Sequence, residues 1–200
     1  CGSAERIAAV KAVEVDTGAT LAPFSAFLIL RGIATLAIRM ARHAATARAL
    51  ADWLEAQPDI VRVFYPDLAS HPQHDVAARQ FPHASGMLAF ELAGSPAAAR
   101  AAGGAFIDAL TIPERTASLG SIHTIVAHPP TTTHRQFDAA QLAEAGISPG
   151  LLRCSVGLED LDDLVADFDR ALSIARAAAA AAGPPPTVAA AASSVPIGAG

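Results

Sequence analysis

The residues with the clearest chemical potential lie in "LLRCSVGL", residues 151–158, where a single arginine interrupts an apolar run. In a β-strand, side chains alternate between two faces, so Arg153 points away from the face that Leu152, Cys154 and Val156 share. Arg153 is then either a solvated strand arginine or a guanidinium fork that binds a carboxylate in a cleft, a task for which bidentate geometry favours arginine. The spacing alone leaves both interpretations open.

A second polar segment, residues 116–134, reads "TASLGSIHTIVAHPPTTTH" and contains His123, His128 and His134. The spacing of the three histidines fits no compact ligand pattern, and neither an acid nor a thiol accompanies them, so we expect no metal site. Ser118, just ahead of Gly120, is either a small polar ligand contact at a strand end or a turn serine that bonds its own backbone.

Side chains for covalent catalysis are scarce. The chain has no G-x-S-x-G motif, and the strand pattern places Cys154 on the apolar face, where a buried thiol is inert. Lys11 is the only lysine, and its surroundings "AAVKAVEV" offer it no polar setting. We therefore assign no catalytic residue within this chain.

Composition limits the partners and the compartment. Of 200 residues, 52% are hydrophobic and 16% are charged, the net charge is −5, and no cluster of basic residues occurs. These values predict a globular protein that binds small molecules or proteins rather than nucleic acid or an anionic membrane. Two cysteines without a framework spacing fit the reducing cytoplasm. The apolar stretch 20–38 contains Pro23 and Arg31, which argues against a membrane span.

Alternating helical and strand patterns predict an α/β or α+β fold, with helices layered against a small sheet. The predicted strands cover 60–66, 86–92, 114–119, 123–128 and 151–158, and the predicted helices cover 33–54, 74–81, 95–110, 138–147 and a segment from near 159. In the last helix, Leu164 and Phe168 should face inward and Asp167 outward. An Ala/Pro/Gly tail, residues 177–200, is predicted to be disordered.

Four segments in continuous order resemble one family. They are residues 16–43 ("DTGATLAPFSAFLILRGIATLAIRMARH"), 63–74 ("VFYPDLASHPQH"), 118–134 and 146–172. Together they resemble the pyridoxal-phosphate enzymes of cysteine and methionine metabolism: homoserine-ester sulfhydrylases, cystathionine γ-synthases, cystathionine lyases and methionine γ-lyases. The resemblance extends over roughly residues 14–174.

The resemblance implies the fold-type-I aminotransferase architecture, of which this chain would be the smaller carboxy-terminal domain with the long helix that leads into it. Residues 1–21 would then belong to the connection from the large domain, 22–176 to the small domain and 177–200 to the tail. By the same resemblance, Arg153 binds the α-carboxylate of the substrate, and Ser118 lies beside that carboxylate. The complete enzyme would use pyridoxal 5'-phosphate and form a homo-oligomer, a dimer or tetramer.

The departures from the family pattern concern both activity and specificity. The family's cofactor-linked lysine, phosphate-binding glycines and pyridinium aspartate precede the resembling region, and Lys11 does not match that lysine. We therefore expect a fragment that is inactive alone. Asp67 replaces a glycine, Cys154 replaces an apolar residue, and His123 occupies a specificity position. "DTGATLAPF" and "HPPTTTH" favour γ-replacement by a homoserine-ester sulfhydrylase; the lyase and cystathionine γ-synthase branches, and a non-catalytic binding remnant, are the alternatives.

Overall fold

A computed structural model describes residues 2–81 and 85–183 of the chain. The described residues form two compact units, one ending at Ala41 and the other beginning at Arg42. The helices in chain order are α1 (Ala4–Thr17), α2 (Pro23–Ala34), α3 (Leu36–Glu55), α4 (His74–Gln80), α5 (Pro96–Ala109), α6 (Ala139–Glu144) and α7 (Leu161–Ala181), with a short 3-10 helix at Pro129–Thr131. The strands are β1 (Ile60–Phe64), β2 (Met87–Leu92), β3 (Glu114–Arg115), β4 (Ile125–Ala127) and β5 (Leu151–Ser155).

The first unit consists of α1, α2 and the start of α3. Ser3 caps α1 by accepting a hydrogen bond from the amide of Arg6, and Gly18, in the left-handed conformation, ends the helix. The prediction of one helix over residues 33–54 is wrong at its start, because the helical path is interrupted at Thr35, between α2 and α3. There the Arg39 side chain donates to the Thr35 hydroxyl and to the Gly32 carbonyl, which the break leaves free.

None of the described helices is long and apolar enough by itself to cross a membrane. Helices α2 and α3 satisfy the criteria of length and composition only when they are taken together, as a pair bent by 55°.

The second unit contains a five-stranded sheet in the order β1-β2-β5-β4-β3. All neighbouring strands are antiparallel except β3 and β4, which are parallel. The strands, together with the helices around them, confirm the predicted mixed α/β class. Strand β5 lies at the centre of the sheet, where it pairs with β2 on one side and β4 on the other. A central position holds the backbone of Arg153 firmly.

The core lies on one face of this sheet, under α3, α5 and α7. Phe90 of β2, Phe106 of α5 and Phe168 of α7 meet edge to face, with ring centroids 5.6 Å apart for Phe90 and Phe106 and 5.3 Å apart for Phe106 and Phe168. Aromatic contacts of this geometry add about 0.5–1.5 kcal/mol each beyond the area they bury. Arg153 lies on the opposite face of the sheet.

Several element boundaries differ from the sequence prediction. Strands β3 and β4 are shorter than predicted, and residues 116–124 follow an irregular path. Helix α7 continues to Ala181, so the predicted tail boundary after residue 176 falls too early; residues 184–200 lie outside the described residues. The prediction that Asp167 faces outward is wrong, because the side chain is buried and accepts hydrogen bonds from the Thr111 and Ile112 amides.

Candidate functional site: an arginine on the free face of the sheet

Arg153 lies at the middle of β5, opposite Ala89 of β2 and Ala127 of β4. Its strand neighbours Leu152 and Cys154 are fully buried in the core, whereas Arg153 itself is half-buried on the other face. The alternation predicted for this strand is therefore confirmed. Alanines flank Arg153 across both neighbouring strands, so no long side chain lies directly opposite it.

The guanidinium of Arg153 is incompletely satisfied. Nη2 donates to the carbonyl oxygen of Ser118, while Nε is shielded from solvent and has no hydrogen-bond partner among the described residues. Within that same part of the chain, Arg153 forms no ion pair with a carboxylate, in contrast to Arg170 and Arg176. A shielded donor without a partner costs about 1–3 kcal/mol, and such a donor in a native structure calls for an explanation, of which a bound ligand is one.

Ser118, the other predicted site residue, is brought to Arg153 by residues 118–124, which run alongside the end of β5. The contact that the structure shows is made by the backbone carbonyl of Ser118, and the residue is exposed. Two further hydrogen bonds hold the 118–124 segment beside residues 155–158. The Gly120 amide donates to Ser155 Oγ over 3.0 Å, and the Leu158 amide donates to the Ile122 carbonyl over 2.8 Å.

Glu159 fastens the far end of the 118–124 segment. Its carboxylate accepts from the amide of Thr124 over 2.6 Å and from the hydroxyl of Thr124 over 2.7 Å. The Thr124 hydroxyl in turn accepts from the Gly157 amide over 2.8 Å. Gly157 is required there, since a Cβ atom at this position would lie only 2.5 Å from the carbonyl carbon of His123.

Sequence reasoning missed the fastening role of Ser155 and Glu159, although a signal for it was present. Arg153, Ser155, Gly157 and Glu159 are spaced two residues apart, and each contacts the 118–124 segment or makes room for it. The same period of two that turns Arg153 outward therefore organises the whole polar face of the motif. His43 was also missed: from α3 it donates through Nδ1 to the Val156 carbonyl over 2.7 Å.

Cys154 lies on the core face and is fully buried, as the sequence predicted. Burial in apolar surroundings raises the pKa of the Cys154 thiol far above its ordinary value, with a smaller contribution from the Glu159 carboxylate. A nucleophilic cysteine needs the thiolate, so this residue is structural. Asp67, which departs from the family pattern, pairs with Arg48 over 3.3 Å on the surface.

The three histidines of the 116–134 segment have separate environments. His128 is buried, bonds Thr131 through Nδ1 and donates through Nε2 to the Pro149 carbonyl over 2.8 Å. Burial lowers its pKa, and the Arg100 charge lowers it further, while the Pro149 contact acts in the opposite direction. His123 is exposed, and His134 packs on Phe137. Among the described residues, no group of histidine, cysteine and acidic side chains is arranged to hold a metal ion.

Arg153 and the 118–124 segment favour a carboxylate-binding site and do not by themselves form a complete cofactor site. Lys11, the only lysine, lies exposed on α1 in the first unit. The described contact of the Arg153 guanidinium is a backbone carbonyl, and the polar side chains that hold the neighbouring 118–124 segment are a hydroxyl and a carboxylate, which carry no primary amine. What the arrangement can do is hold an anion against a rigid strand.

The comparisons with known proteins agree with this fold. A family model described as Cys/Met metabolism PLP-dependent enzyme matches residues 1–173, and the chain belongs to that family, whose members use pyridoxal phosphate. The chain is 45% identical over 86% of its length to O-succinylhomoserine sulfhydrylase of Pseudomonas aeruginosa, and 46% identical over 78% of its length to L-methionine gamma-lyase of Pseudomonas putida. Those alignments cover 42% and 38% of the two relatives.

Solved structures show the same architecture. Cystathionine gamma synthase from Xanthomonas oryzae pv. oryzae, in complex with cystathionine, matches 82% of this chain with a TM-score of 0.72 and 42% identity. A cystathionine gamma-lyase structure from Micromonospora echinospora matches 86% of this chain with a TM-score of 0.77 and 37% identity. The chain spans 41% and 44% of these two structures, so it corresponds to less than half of each.

Proposed function

We propose that this chain supplies the substrate-carboxylate half of the active site of a pyridoxal-phosphate-dependent transsulfuration enzyme that acts on sulfur amino acids or homoserine esters. Arg153 binds the α-carboxylate, and Ser118 lies beside it. The observation that carries the proposal is the state of Arg153: a half-buried guanidinium on the free face of the sheet, with a shielded Nε that has no partner in the described part of the chain.

Substrate chemistry supports this assignment. Succinylhomoserine, methionine and cystathionine, which appear in the names of the similar proteins, are all α-amino acids and share the α-carboxylate. A planar guanidinium satisfies a carboxylate through two parallel hydrogen bonds, which fixes orientation as well as position. One anion clamp therefore serves every branch of the family, while other residues select the side chain.

The role of the clamp is orientation. Pyridoxal phosphate supplies the electron sink in this class of chemistry, and the protein supplies positioning and proton transfer. Arg153 holds the carboxylate at one point of a central strand, so rotation of the bound amino acid is restricted before reaction begins. The Ser118 carbonyl restricts the guanidinium in turn, because it accepts a hydrogen bond from Nη2. The other N–H donors of the guanidinium stay available for the carboxylate.

For the reaction, we propose γ-replacement of the homoserine-ester sulfhydrylase type. The segments "DTGATLAPF" and "HPPTTTH" support this branch. Elimination of the methionine or cystathionine γ-lyase type, and cystathionine γ-synthesis, are the alternatives, because identity to a sulfhydrylase at 45% and to a γ-lyase at 46% does not separate them. Assays of the complete enzyme with O-succinylhomoserine plus sulfide, and with methionine alone, distinguish replacement from elimination.

We further propose that the 200-residue chain is catalytically inactive by itself, and that the active form is a cytoplasmic homo-oligomer of the complete enzyme that requires neither nucleic acid nor membrane. The exposed position of Lys11 and the partial coverage of the relatives support the inactivity of the chain by itself. An absorbance scan of the isolated chain with pyridoxal phosphate should show only the free cofactor. A stable band of lysine-bound cofactor would contradict the proposal, and a chain that folds and binds a protein partner without that band would favour the non-catalytic alternative.

Replacement of Arg153 tests the function directly. In the complete enzyme, Arg153→Ala should raise KM and reduce kcat/KM by the equivalent of about 2–4 kcal/mol, the scale for loss of one member of a buried charge pair. Arg153→Lys should recover little, because an ammonium cannot make two parallel hydrogen bonds. Unchanged kcat/KM in both variants would exclude Arg153 from substrate binding.

A further inference from the structure

We propose that Glu159, through Thr124, is the positioning residue that holds the Ser118 carbonyl on Arg153, so that the guanidinium is fixed before a carboxylate arrives. This proposal deepens the proposed function and rests on it for its catalytic meaning. Its structural basis is independent: the hydrogen bonds that join the 118–124 segment to the end of β5.

The first step concerns the backbone of the segment. Residues 118–124 are in neither helix nor strand, so no regular ladder holds them. Side chains take over this task at both ends: Arg153 bonds the Ser118 carbonyl, and Glu159 bonds Thr124. Between them, the Gly120 amide reaches Ser155 Oγ. Further along, the Ile122 carbonyl accepts from the Leu158 amide, and the Thr124 carbonyl accepts from the Glu114 amide. If the Glu159 end is released, the segment loses its two hydrogen bonds to that carboxylate and keeps these others, so the Ser118 carbonyl is held less tightly.

The second step concerns the direction of the hydrogen bonds. The Gly157 amide donates to the Thr124 hydroxyl, and that hydroxyl donates to Glu159 Oε2, while the Thr124 amide donates to Oε1. Both carboxylate oxygens therefore act only as acceptors. A glutamine has one acceptor oxygen and one NH₂ group, so in either orientation its NH₂ group would face a donor, the Thr124 amide or the Thr124 hydroxyl, and one of the two hydrogen bonds would be lost.

The third step concerns burial. Thr124 is fully buried, and Gly157 is buried beneath it. Glu159 itself is half-buried. Removal of Thr124 Oγ1 or of the Glu159 carboxylate therefore leaves polar groups of Thr124 and Gly157 without their partners at buried positions, which destabilises the segment. Exposed hydrogen bonds elsewhere on the surface would not have this effect.

Amide hydrogen exchange in the 200-residue chain tests the positioning role without substrate. Glu159→Ala and Thr124→Val should accelerate exchange at the amides of residues 120 and 124 about tenfold or more, while the β2 core amides keep their rates. Thr124→Ser, which retains the hydroxyl, should preserve wild-type exchange, and Glu144→Ala, on an exposed acid of α6, serves as the matched control. In the same samples, the Arg153 Nη2 signal should be distinct in the wild type and averaged in the first two variants.

A second measurement links this to the carboxylate. In the complete enzyme, L-norleucine should bind about tenfold more weakly to Glu159→Ala and Thr124→Val than to the wild type or Thr124→Ser. Pentylamine, which lacks the carboxylate, should not distinguish them. Unchanged exchange and an unchanged Arg153 signal would overturn the positioning role, and so would equal norleucine affinity in a loosened segment. If Arg153→Ala leaves norleucine affinity unchanged, the proposed function fails instead, and the exchange data still decide the role of Glu159.

Discussion

Two arginines in the second unit occupy contrasting surroundings. Arg170 on α7 pairs with Asp167, whose carboxylate also accepts from the Thr111 hydroxyl over 2.7 Å and from the Ile112 amide over 3.0 Å. Arg153 on β5 contacts a backbone carbonyl and, among the described residues, no carboxylate. We call the first arrangement closed, because the charges of Asp167 and Arg170 are paired with each other within the chain. The second is open, and this difference separates a structural charge network from a binding site.

The largest expected effect comes from breaking the closed network. Asp167→Ala removes the acceptor for two amides, a hydroxyl and Arg170, so the free energy of unfolding should fall by about 2–4 kcal/mol. Urea denaturation measures it. Asp169→Ala, on the exposed side of the same helix, is the control and should change stability by no more than about 0.5 kcal/mol. A small effect at Asp167 would mean that the network is not structural.

A smaller effect is expected where the open site is fastened. Gly157→Ala places a methyl group against the 118–124 segment, which should cost about 1–3 kcal/mol through overpacking. Gly104→Ala, in α5 with open space around the new methyl group, should instead stabilise the chain by about 0.5–1 kcal/mol. Thermal unfolding of the two variants compares them. Equal behaviour would show that the segment does not depend on a close approach at Gly157.

The pH dependence should come from the closed network as well. Burial raises the pKa of Asp167, but the Ile112 and Thr111 donors and Arg170 outweigh it, so the pKa lies below its ordinary value of 3.8. Stability from Asp167 is thus present above that ordinary value and is lost as the pH falls through the lowered pKa. His128, with a pKa lowered mainly by burial, destabilises the fold as the pH falls below 6.5, because the unfolded chain takes up its proton first.

Asp167→Asn separates these two contributions. Unfolding curves measured across the acid range should keep the decline below pH 6.5 and lose the steeper decline below 3.8. A variant whose acid limb matches the wild type would show that other carboxylates carry the acid sensitivity.

The sequence predicted the parts of the fold that local periodicity controls. The alternation in residues 86–92 and 151–158 placed β2, β5 and the outward direction of Arg153 correctly, and Ser95 marked the start of α5, where it accepts from the Ala98 amide. Periodicity works here because each face of these elements meets one environment only. The resemblance to the family was needed to name what Arg153 binds.

The features that the sequence missed depend on distant residues. Asp167 carries no local mark of burial, since its acceptor role comes from amides 55 and 56 positions earlier in the chain. Residues 116–119 and 123–124 were predicted as strand, yet they follow an irregular path that the side chains of Ser155 and Glu159 hold. The spacing of two residues could show that Ser155 and Glu159 share a face with Arg153, but the segment that they bind is set by tertiary structure.

The most direct test of the contrast between the two arginines is the free energy of unfolding of Arg153→Leu, measured by urea denaturation beside wild type. If the site is open, removing a guanidinium whose Nε has no hydrogen-bond partner should leave the free energy of unfolding within about 1 kcal/mol of wild type or raise it. The complete enzyme should at the same time lose carboxylate binding. A fall of more than about 2 kcal/mol in the free energy of unfolding would show that Arg153 is structural, as Asp167 is, and would contradict an open binding site at Arg153.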